Sequence, residues 1–171
     1  TATEETESSE ETTDKEEANA DEADSDEEEA AEEEADEAEA ELEAAIEVEN
    51  DLRSEIVTYA LQFVGNRYKY GGTNPNTGVD CSGFTSYVMR HAAEVELPHS
   101  SGRQSRMGRQ VSSSEMRPGD IICYGSGKRI NHVALYIGNG QIVHASTERT
   151  GIKVSRWNYR TPVRIVNVLG D

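Results

Sequence analysis

Cysteine is scarce in this sequence, and several motifs that carry chemistry are absent from it. Only two cysteines occur among the 171 residues, so at most one disulfide is possible. No CxxC or HExxH pattern is present for a metal site, and the glycine pattern of a P-loop or dinucleotide site is missing. There is also no signal peptide and no apolar run of membrane-spanning length. We therefore expect no metal, no bound nucleotide and no integral membrane segment.

Residues 1–50 lack aromatic side chains and are strongly acidic. They contain 25 of the 34 acidic residues and one lysine, a net charge of −24, whereas residues 51–171 have a net charge of +6. So few apolar side chains cannot bury enough surface to offset the entropy of ordering. We predict that residues 1–50 form an acidic low-complexity linker or tail, largely disordered, with transient helix near 27–49. A docking element for a basic partner is the alternative, and residues 51–171 suit one compact domain.

The domain begins with helical patterns and ends with strands. Apolar residues recur at helical spacing after Asn50, which is the predicted cap of a first helix that Gly65 ends. The glycine, proline and asparagine content of residues 66–80 predicts a loop. Apolar residues recur at helical spacing again from Cys81 to about Ala93. A short helix follows Pro98, and strands are predicted for DIICY, HVALYI, QIVHA and VRIVNV. Helices followed by strands indicate an α+β fold with an antiparallel sheet.

The stretch GVDCSGF, residues 78–84, places Cys81 between Asp80 and Ser82 instead of among apolar neighbours. Cys81 lies at the first turn of the second predicted helix, where free N–H groups and the positive end of the helix dipole favour a thiolate. The same N–H groups can hold an oxyanion. The pattern indicates a nucleophilic cysteine, and a small buried thiol is the structural alternative.

A cysteine nucleophile needs a base, and the chain has four histidines. His91 lies in the same helix as Cys81, roughly 15 Å away at helical rise, so it is expected at the surface and out of reach. His99 lies in a loop and has no assignable role. His132 and His144 belong to two consecutive predicted strands, which makes them the candidates.

The turn between these two strands decides whether His132 and His144 share a face of the sheet. A two-residue turn at 139–140 puts them on opposite faces. A three-residue loop at 138–140, closed by a left-handed bulge glycine, makes Ala134 oppose His144 and puts both histidines on one face, roughly 7–8 Å apart. We predict the three-residue loop, with one histidine as the base and the other as its orienter. Two unrelated strand histidines are the alternative.

The segments YKYGGTNPNTGVDCSGF, LPHSSGRQ, MRPGDIICY and HVALYIGNGQIVHAS, in this order, resemble the successive motifs of the NlpC family of bacterial cell-wall cysteine peptidases. The resemblance covers about Ile56 to Val168. It implies a papain-like α+β core in which N-terminal helices pack on a small antiparallel sheet. It also implies hydrolysis of peptidoglycan stem peptides between D-glutamate and the diamino acid.

Position by position, the resemblance implies that Cys81 is the nucleophile, that His132 is the general base and that His144 orients His132. Tyr68 would lie beside the nucleophile as an oxyanion or substrate contact. In such a mechanism the thiolate attacks the scissile carbonyl, His132 protonates the leaving amine and water releases the acyl group. No cofactor is needed.

The resemblance also implies residues that contact the substrate. Asp80 and Ser82 would line the pocket for the end of the stem peptide. Ser101 and Gln104 match the LPR[ST]SxxQ positions of the family, with Ser101 as a further candidate contact, whereas His99 stands where the arginine is usual.

Two other functions remain as alternatives: a related Cys–His amidase or acyltransferase, and a catalytically silent wall-binding module on the same fold.

Cys123, among apolar neighbours, is expected to be a core thiol, although a bridge to Cys81 is conceivable in an oxidising compartment. The expected partner is the peptidoglycan stem peptide, with no nucleic acid, and the protein is expected to be a monomer. Because the chain starts at Thr1 in low-complexity sequence, we expect a fragment of an exported protein, extracellular or associated with the cell wall.

Overall fold

The computed structural model describes the backbone of residues 20–171 and the side chains of residues 26–171. The helices are α1 (Ala20–Leu61), α2 (Cys81–Ala93) and α3 (Ser101–Gln104). The strands are β1 (Thr73–Asn74), β2 (Gly78–Val79), β3 (Arg109–Gln110), β4 (Ile121–Ser126), β5 (Arg129–Gly138), β6 (Gln141–Thr147), β7 (Gly151–Arg156) and β8 (Pro162–Asn167). The chain divides into two units between Ala45 and Ile46.

Helix α1 runs through the predicted boundary between the acidic segment and the domain. It begins at Ala20, so Asn50 lies inside the helix and the predicted cap at Asn50 is wrong. From Ala20 onward the acidic segment is helical, where the sequence predicted only transient helix. Alanine and glutamate are strong helix formers, and elongating an existing helix avoids the cost of nucleation. Residues 1–19 lie outside the described residues, and the division of the chain into tail and domain remains a prediction.

None of the helices in the described part of the chain is both long and apolar enough to cross a membrane. The length of α1 is 42 residues, but its sequence is dominated by glutamate and alanine.

The second unit is built on a six-stranded antiparallel sheet with the order β3-β8-β4-β5-β6-β7. A separate two-stranded hairpin pairs β1 with β2 immediately before α2. The predicted α+β class with an antiparallel sheet is confirmed, and so are α2 and the strands β4, β5, β6 and β8. The sequence analysis missed β7, whose segment GIKVSR alternates the apolar Ile152 and Val154 with the polar Lys153 and Ser155.

The two faces of the sheet pack against different partners. On one face, strand residues join the apolar side of α2 and the end of α1 in the main core, which is centred on Ile56, Phe84, Val88, Val133 and Val143. On the other face, a smaller cluster forms around Ile122, Tyr124, Ala134, Tyr136 and Ile142. Alternation along β5 therefore assigns Val133 to the helical side and His132 to the opposite side.

A buried arginine attaches the end of α1 to the start of the sheet. Arg53 is only 2 % exposed, and its guanidinium donates to Asp120 at 3.0 Å and to Asp171 at 2.5 Å. Arg117 also donates to Asp171, at 2.7 Å. Because a buried charge without its partner is costly, this network holds α1, the start of β4 and the chain terminus in one arrangement.

Two glycines allow the loop before α2 to lie directly on the first turn of that helix. A side chain at Gly83 would collide with the carbonyl oxygen of Gly72, and one at Gly72 would collide with the carbonyl oxygen of Gly78. The close contacts supply a structural role for both of them, since no larger residue fits.

We expect Gly83→Ala to lower the free energy of unfolding by about 1–3 kcal/mol, because the new methyl group meets rigid backbone. Gly102→Ala is the matched control, since Gly102 also lies in a helix and the nearest atom to its added methyl group is 4.0 Å away. That control should be neutral or stabilising by up to ~1 kcal/mol. Denaturant unfolding of both variants measures the difference, and equal stabilities would contradict this packing.

Candidate active site

Cys81 is the first residue of α2, and Asp80 is its cap. The Asp80 carboxylate accepts a hydrogen bond from the backbone N–H of Gly83 at 2.8 Å, which satisfies one free donor of the first helical turn. The Cys81 side chain is half-buried rather than enclosed. The predicted position of the cysteine at a helix N-terminus is therefore confirmed.

The same carboxylate connects the three segments that surround Cys81. The backbone N–H of Gly71 donates to Asp80 at 3.1 Å, which fixes the preceding loop. His99 Nε2 lies 2.7 Å from the Asp80 carboxylate, which fixes the loop after α2. The sequence assigned no role to His99, and the structure makes it a direct partner of Asp80.

Gln104 holds α2 against α3 from the buried side. Its side chain is fully buried, and the two hydrogens of its amide nitrogen are shared among three acceptors at 2.9 Å, the Ser82 carbonyl, the Ser86 hydroxyl and the Pro98 carbonyl. Its amide oxygen accepts from the Thr85 hydroxyl at 2.6 Å. All hydrogen-bonding capacity of this buried amide except one lone pair is used, so Gln104 positions the first turns of α2.

The turn between β5 and β6 differs from the predicted one. Gly138 pairs with Gln141, so the turn has two residues, and both Asn139 (φ 53°) and Gly140 (φ 72°) are left-handed as in a type I′ turn. The predicted three-residue loop is wrong. A register shift between Tyr136 and Gly138 inserts one extra residue, and this bulge restores the side-chain alternation that the short turn would have reversed.

The bulge places His132 and His144 on the same face of the sheet, as predicted. Beyond the bulge Leu135 pairs with Val143, and continuing this register by one residue puts Ala134 level with His144. His132 Nε2 lies 2.7 Å from His144 Nδ1, and both rings are buried. The two rings are closer than the predicted diagonal spacing, with centroids 5.0 Å apart and planes at 70°.

The paired segment of β5 and β6 ends at Leu135 and Val143, which lie three residues from His132 and one residue from His144. Val133, the next residue along β5 whose N–H faces β6, donates its backbone hydrogen bond to the Cys81 thiol instead. The thiol thus contacts the backbone of the residue that follows His132 in β5, while the Cys81 side chain packs against the main core.

The histidine pair continues to a third polar side chain. His144 Nε2 lies 2.9 Å from the Ser155 hydroxyl, so Ser155, His144 and His132 form one hydrogen-bonded chain. The sequence analysis did not identify Ser155 because strand β7 was missed. The signal was the alternation in GIKVSR, in which Lys153 and Ser155 share the face opposite the apolar residues.

Burial sets the protonation of the thiol and of the imidazoles. Burial raises the pKa of the Cys81 thiol, and the neighbouring Asp80 raises it further. The N–H group of Val133 on β5 lowers this pKa, and those of Ser82 and Cys81 lower it as predicted for a helix N-terminus, but burial outweighs them. Burial lowers the pKa of both His132 and His144, so the resting arrangement is a neutral thiol beside two neutral imidazoles.

Aromatic and basic side chains enclose this arrangement. Tyr68 is half-buried, and burial raises the pKa of its hydroxyl, with a further contribution from nearby Cys81. Tyr159 lies over His144 at a centroid distance of 5.3 Å. Arg160 donates to Asn131 at 3.0 Å, and its charge contributes to lowering the pKa of His132. The structure thus places Tyr68 near the thiol, and it adds Tyr159 and Arg160, which the sequence analysis missed.

The other candidate residues differ in their exposure. Ser82 is only 6 % exposed and its hydroxyl donates to Asp80, so little of its surface is free for a substrate. Ser101 is the half-buried first residue of α3. His91 is exposed, as predicted, and lies 2.9 Å from the Tyr87 carbonyl. Cys123 is buried and free, which confirms a core thiol with no bridge to Cys81.

A half-buried cysteine at a helix N-terminus, together with a histidine pair on an antiparallel sheet, is the arrangement expected for the papain-like core that the motifs implied. Residues 65–165 match the model of the NlpC/P60 family. The chain belongs to this family, and the resemblance inferred from its motifs is confirmed.

Curated and solved relatives agree with this membership. The chain is 41 % identical over 108 residues to a protein of Escherichia coli (strain K12) named murein DD-endopeptidase MepS/murein LD-carboxypeptidase, a match that covers 63 % of this chain and 56 % of that protein. This chain thus spans about half the length of the curated relatives it matches first.

Among solved structures, the NlpC/p60 domain of the peptidoglycan hydrolase SagA aligns with a TM-score of 0.62 and 32 % identity, covering 67 % of this chain and 97 % of that domain. The peptidoglycan hydrolase RipB from Mycobacterium tuberculosis aligns with a TM-score of 0.63 and 28 % identity, covering 71 % of this chain and 67 % of that structure. The predicted fold is confirmed by these alignments.

We expect iodoacetamide to alkylate Cys81 at least ~10-fold faster than Cys123 at neutral pH in the folded protein. Cys81 is half-buried, whereas Cys123 is fully buried and burial raises its pKa to about 12. Peptide mass spectrometry measures both rates, and denatured protein, in which the two rates should converge, is the control. Equal rates in the folded state would count against Cys81 as an accessible nucleophile.

Proposed function

We propose that this protein is a cysteine endopeptidase that hydrolyses peptidoglycan stem peptides, with Cys81 as nucleophile, His132 as general base and His144 as the residue that orients His132. The observation that carries the proposal is the series of hydrogen bonds from Ser155 through His144 to His132, whose neighbour in β5, Val133, donates its backbone N–H to the Cys81 thiol. Family membership supports the reaction class, because relatives of the chain carry the names endopeptidase and peptidoglycan hydrolase.

The direction of the hydrogen bonds that join His132, His144 and Ser155 follows from the role of His132 as a base. If Nδ1 of His132 accepts the thiol proton, Nε2 must carry a hydrogen and donate it to His144 Nδ1. His144 Nε2 then carries the hydrogen that points to the Ser155 hydroxyl. His144 thus selects the tautomer of His132 that leaves Nδ1 free for the proton of Cys81.

The protonation states of Cys81 and His132 before the reaction favour general-base catalysis over a preformed thiolate–imidazolium pair. The raised pKa of Cys81 and the lowered pKa of His132 both favour the neutral thiol and the neutral imidazole. His132 therefore removes the proton as the thiol attacks the scissile carbonyl, and then delivers it to the leaving amine. The N–H groups at the start of α2 and the Tyr68 hydroxyl are the proposed donors to the oxyanion.

The proposed scissile bond joins D-glutamate to the diamino acid, as the NlpC motifs imply. Asp80, Ser82 and Ser101 are the proposed contacts for the stem peptide, and of these Asp80 also holds the surrounding loops. The Escherichia coli relative is named for a DD-endopeptidase and an LD-carboxypeptidase activity, so these bonds are the second candidate for this chain. Peptidoglycan as substrate implies an extracellular or wall-associated protein, and we propose that it acts as a monomer without a cofactor.

Digestion of purified peptidoglycan fragments by the full chain should yield products cut between D-glutamate and the diamino acid, identified by mass spectrometry. Cys81→Ala and His132→Ala should each lose activity by on the order of 1,000-fold or more, because the nucleophile or the base is gone. Circular dichroism confirms folding of both variants, and His91→Ala is the matched exposed-histidine control. Cleavage by Cys81→Ala would overturn the mechanism, and cleavage at DD or LD bonds would establish the second candidate.

His144→Gln should keep more activity than His144→Ala. A glutamine amide can accept from His132 and donate to Ser155, whereas alanine leaves the tautomer of His132 unselected. We expect the alanine variant to lose on the order of 100-fold in kcat/KM, mostly in kcat, and the glutamine variant to lose less. Wild-type kinetics in both variants would show that His144 has no orienting role.

A further inference from the structure

A second concave surface of the domain lies outside the proposed catalytic residues. It is a cavity of about 460 Å³ lined by residues of α3 and the segment that follows it, the β4–β5 turn and strand β8. This volume lies within the roughly 300–1,000 Å³ typical of ligand pockets. We call it the basic groove, and its polar lining residues are Ser105, Arg106, Gln110, Lys128, Arg129 and Arg164.

The charge of the basic groove is entirely positive. Arg106, Lys128, Arg129 and Arg164 contribute four cations, and no carboxylate lines the cavity. Within residues 26–171 none of the four takes part in an ion pair with an acidic side chain. Like charges gathered in one cavity repel one another, so a bound anion would stabilise the arrangement.

Arg164 has a donor that the protein itself leaves unused. Its Nε is buried and has no hydrogen-bond partner within the described part of the chain. Strand β8 fixes its position, because Arg164 pairs with Cys123 of the neighbouring strand β4. A buried donor without a partner is unusual in a native protein, and Arg164 also lines the groove, so its guanidinium is a candidate contact for an oxyanion there.

We propose that the basic groove binds oxyanion groups, phosphate or carboxylate, carried in series on an extended anionic chain. A guanidinium accepts either group because its planar fork matches the oxygen geometry of both. Four cations exceed the charge of a single monovalent anion, so several groups in series fit the groove better than one. Arg164 supplies the inner contact, and the exposed Lys128 in the β4–β5 turn and the exposed Arg129 at the start of β5 supply the outer ones.

This proposal does not depend on the proposed hydrolysis. None of the lining residues belongs to the hydrogen-bonded chain of Ser155, His144 and His132, and binding is measured without turnover. The two proposals can therefore fail separately.

Isothermal titration calorimetry of the full chain at low salt tests the groove with two probes. Tripolyphosphate represents a chain of phosphates, and tricarballylate represents a set of carboxylates. The groove variant combines Lys128→Gln with Arg129→Gln. Its matched control combines Arg149→Gln with Arg156→Gln, which removes the same charge from exposed positions outside the groove. Arg164→Gln is measured as well. If Arg164→Gln does not fold, the groove variant alone decides the test.

We expect the wild type to bind at least one probe, the groove variant to bind it roughly 10-fold more weakly or worse, and the control variant to change affinity less than twofold. The probe that binds identifies the oxyanion, and binding of both supports their shared chemistry. Absence of binding to either probe, an unchanged affinity of the groove variant, or equal losses in the groove and control variants would overturn the proposal.

Discussion

The opening between β5 and β6 is the feature on which the candidate site depends. Backbone pairing stops at Leu135 and Val143, so the N–H of Val133 is free to bond the Cys81 thiol. Continued pairing would occupy that donor with a carbonyl of β6. Because pairing ends here, the first residue of α2 bonds the backbone of β5 one residue from His132.

The opening is useful only if the first turn of α2 is held in position, and two polar side chains hold it. Asp80 connects the loop before the helix, the helix itself and the loop after it through Gly71, Gly83 and His99. Gln104 reaches the same turn from the buried side. A carboxylate cap contributes about 1 kcal/mol to a helix, but here its larger effect is to fix where the thiol lies.

Burial then gives the site its chemical character. Without burial, the N–H groups around Cys81 would favour a thiolate, yet the low-polarity surroundings favour the neutral forms of Cys81, His132 and His144 together. A neutral resting site needs an oriented base to remove the thiol proton during attack. The contacts from His144 to Ser155 meet this need, and they explain why the two histidines lie on one face of a sheet with no apolar side chain between them.

Local patterns in the sequence determined the α+β class, the helix that starts at Cys81 and the strands that carry His132 and His144, because periodicity and capping are properties of neighbouring residues. The common face of the two histidines was predicted correctly, but through the wrong turn. Only the tertiary structure decided the bulge before Gly138, the end of pairing at Leu135, the partnership of His99 with Asp80 and the contact of Ser155 with His144. Each of these depends on backbone groups or side chains that are distant in sequence. The pKa of Cys81 was also decided by the tertiary structure, because burial raises it more than the N–H groups at the helix N-terminus lower it, and no local pattern reports burial.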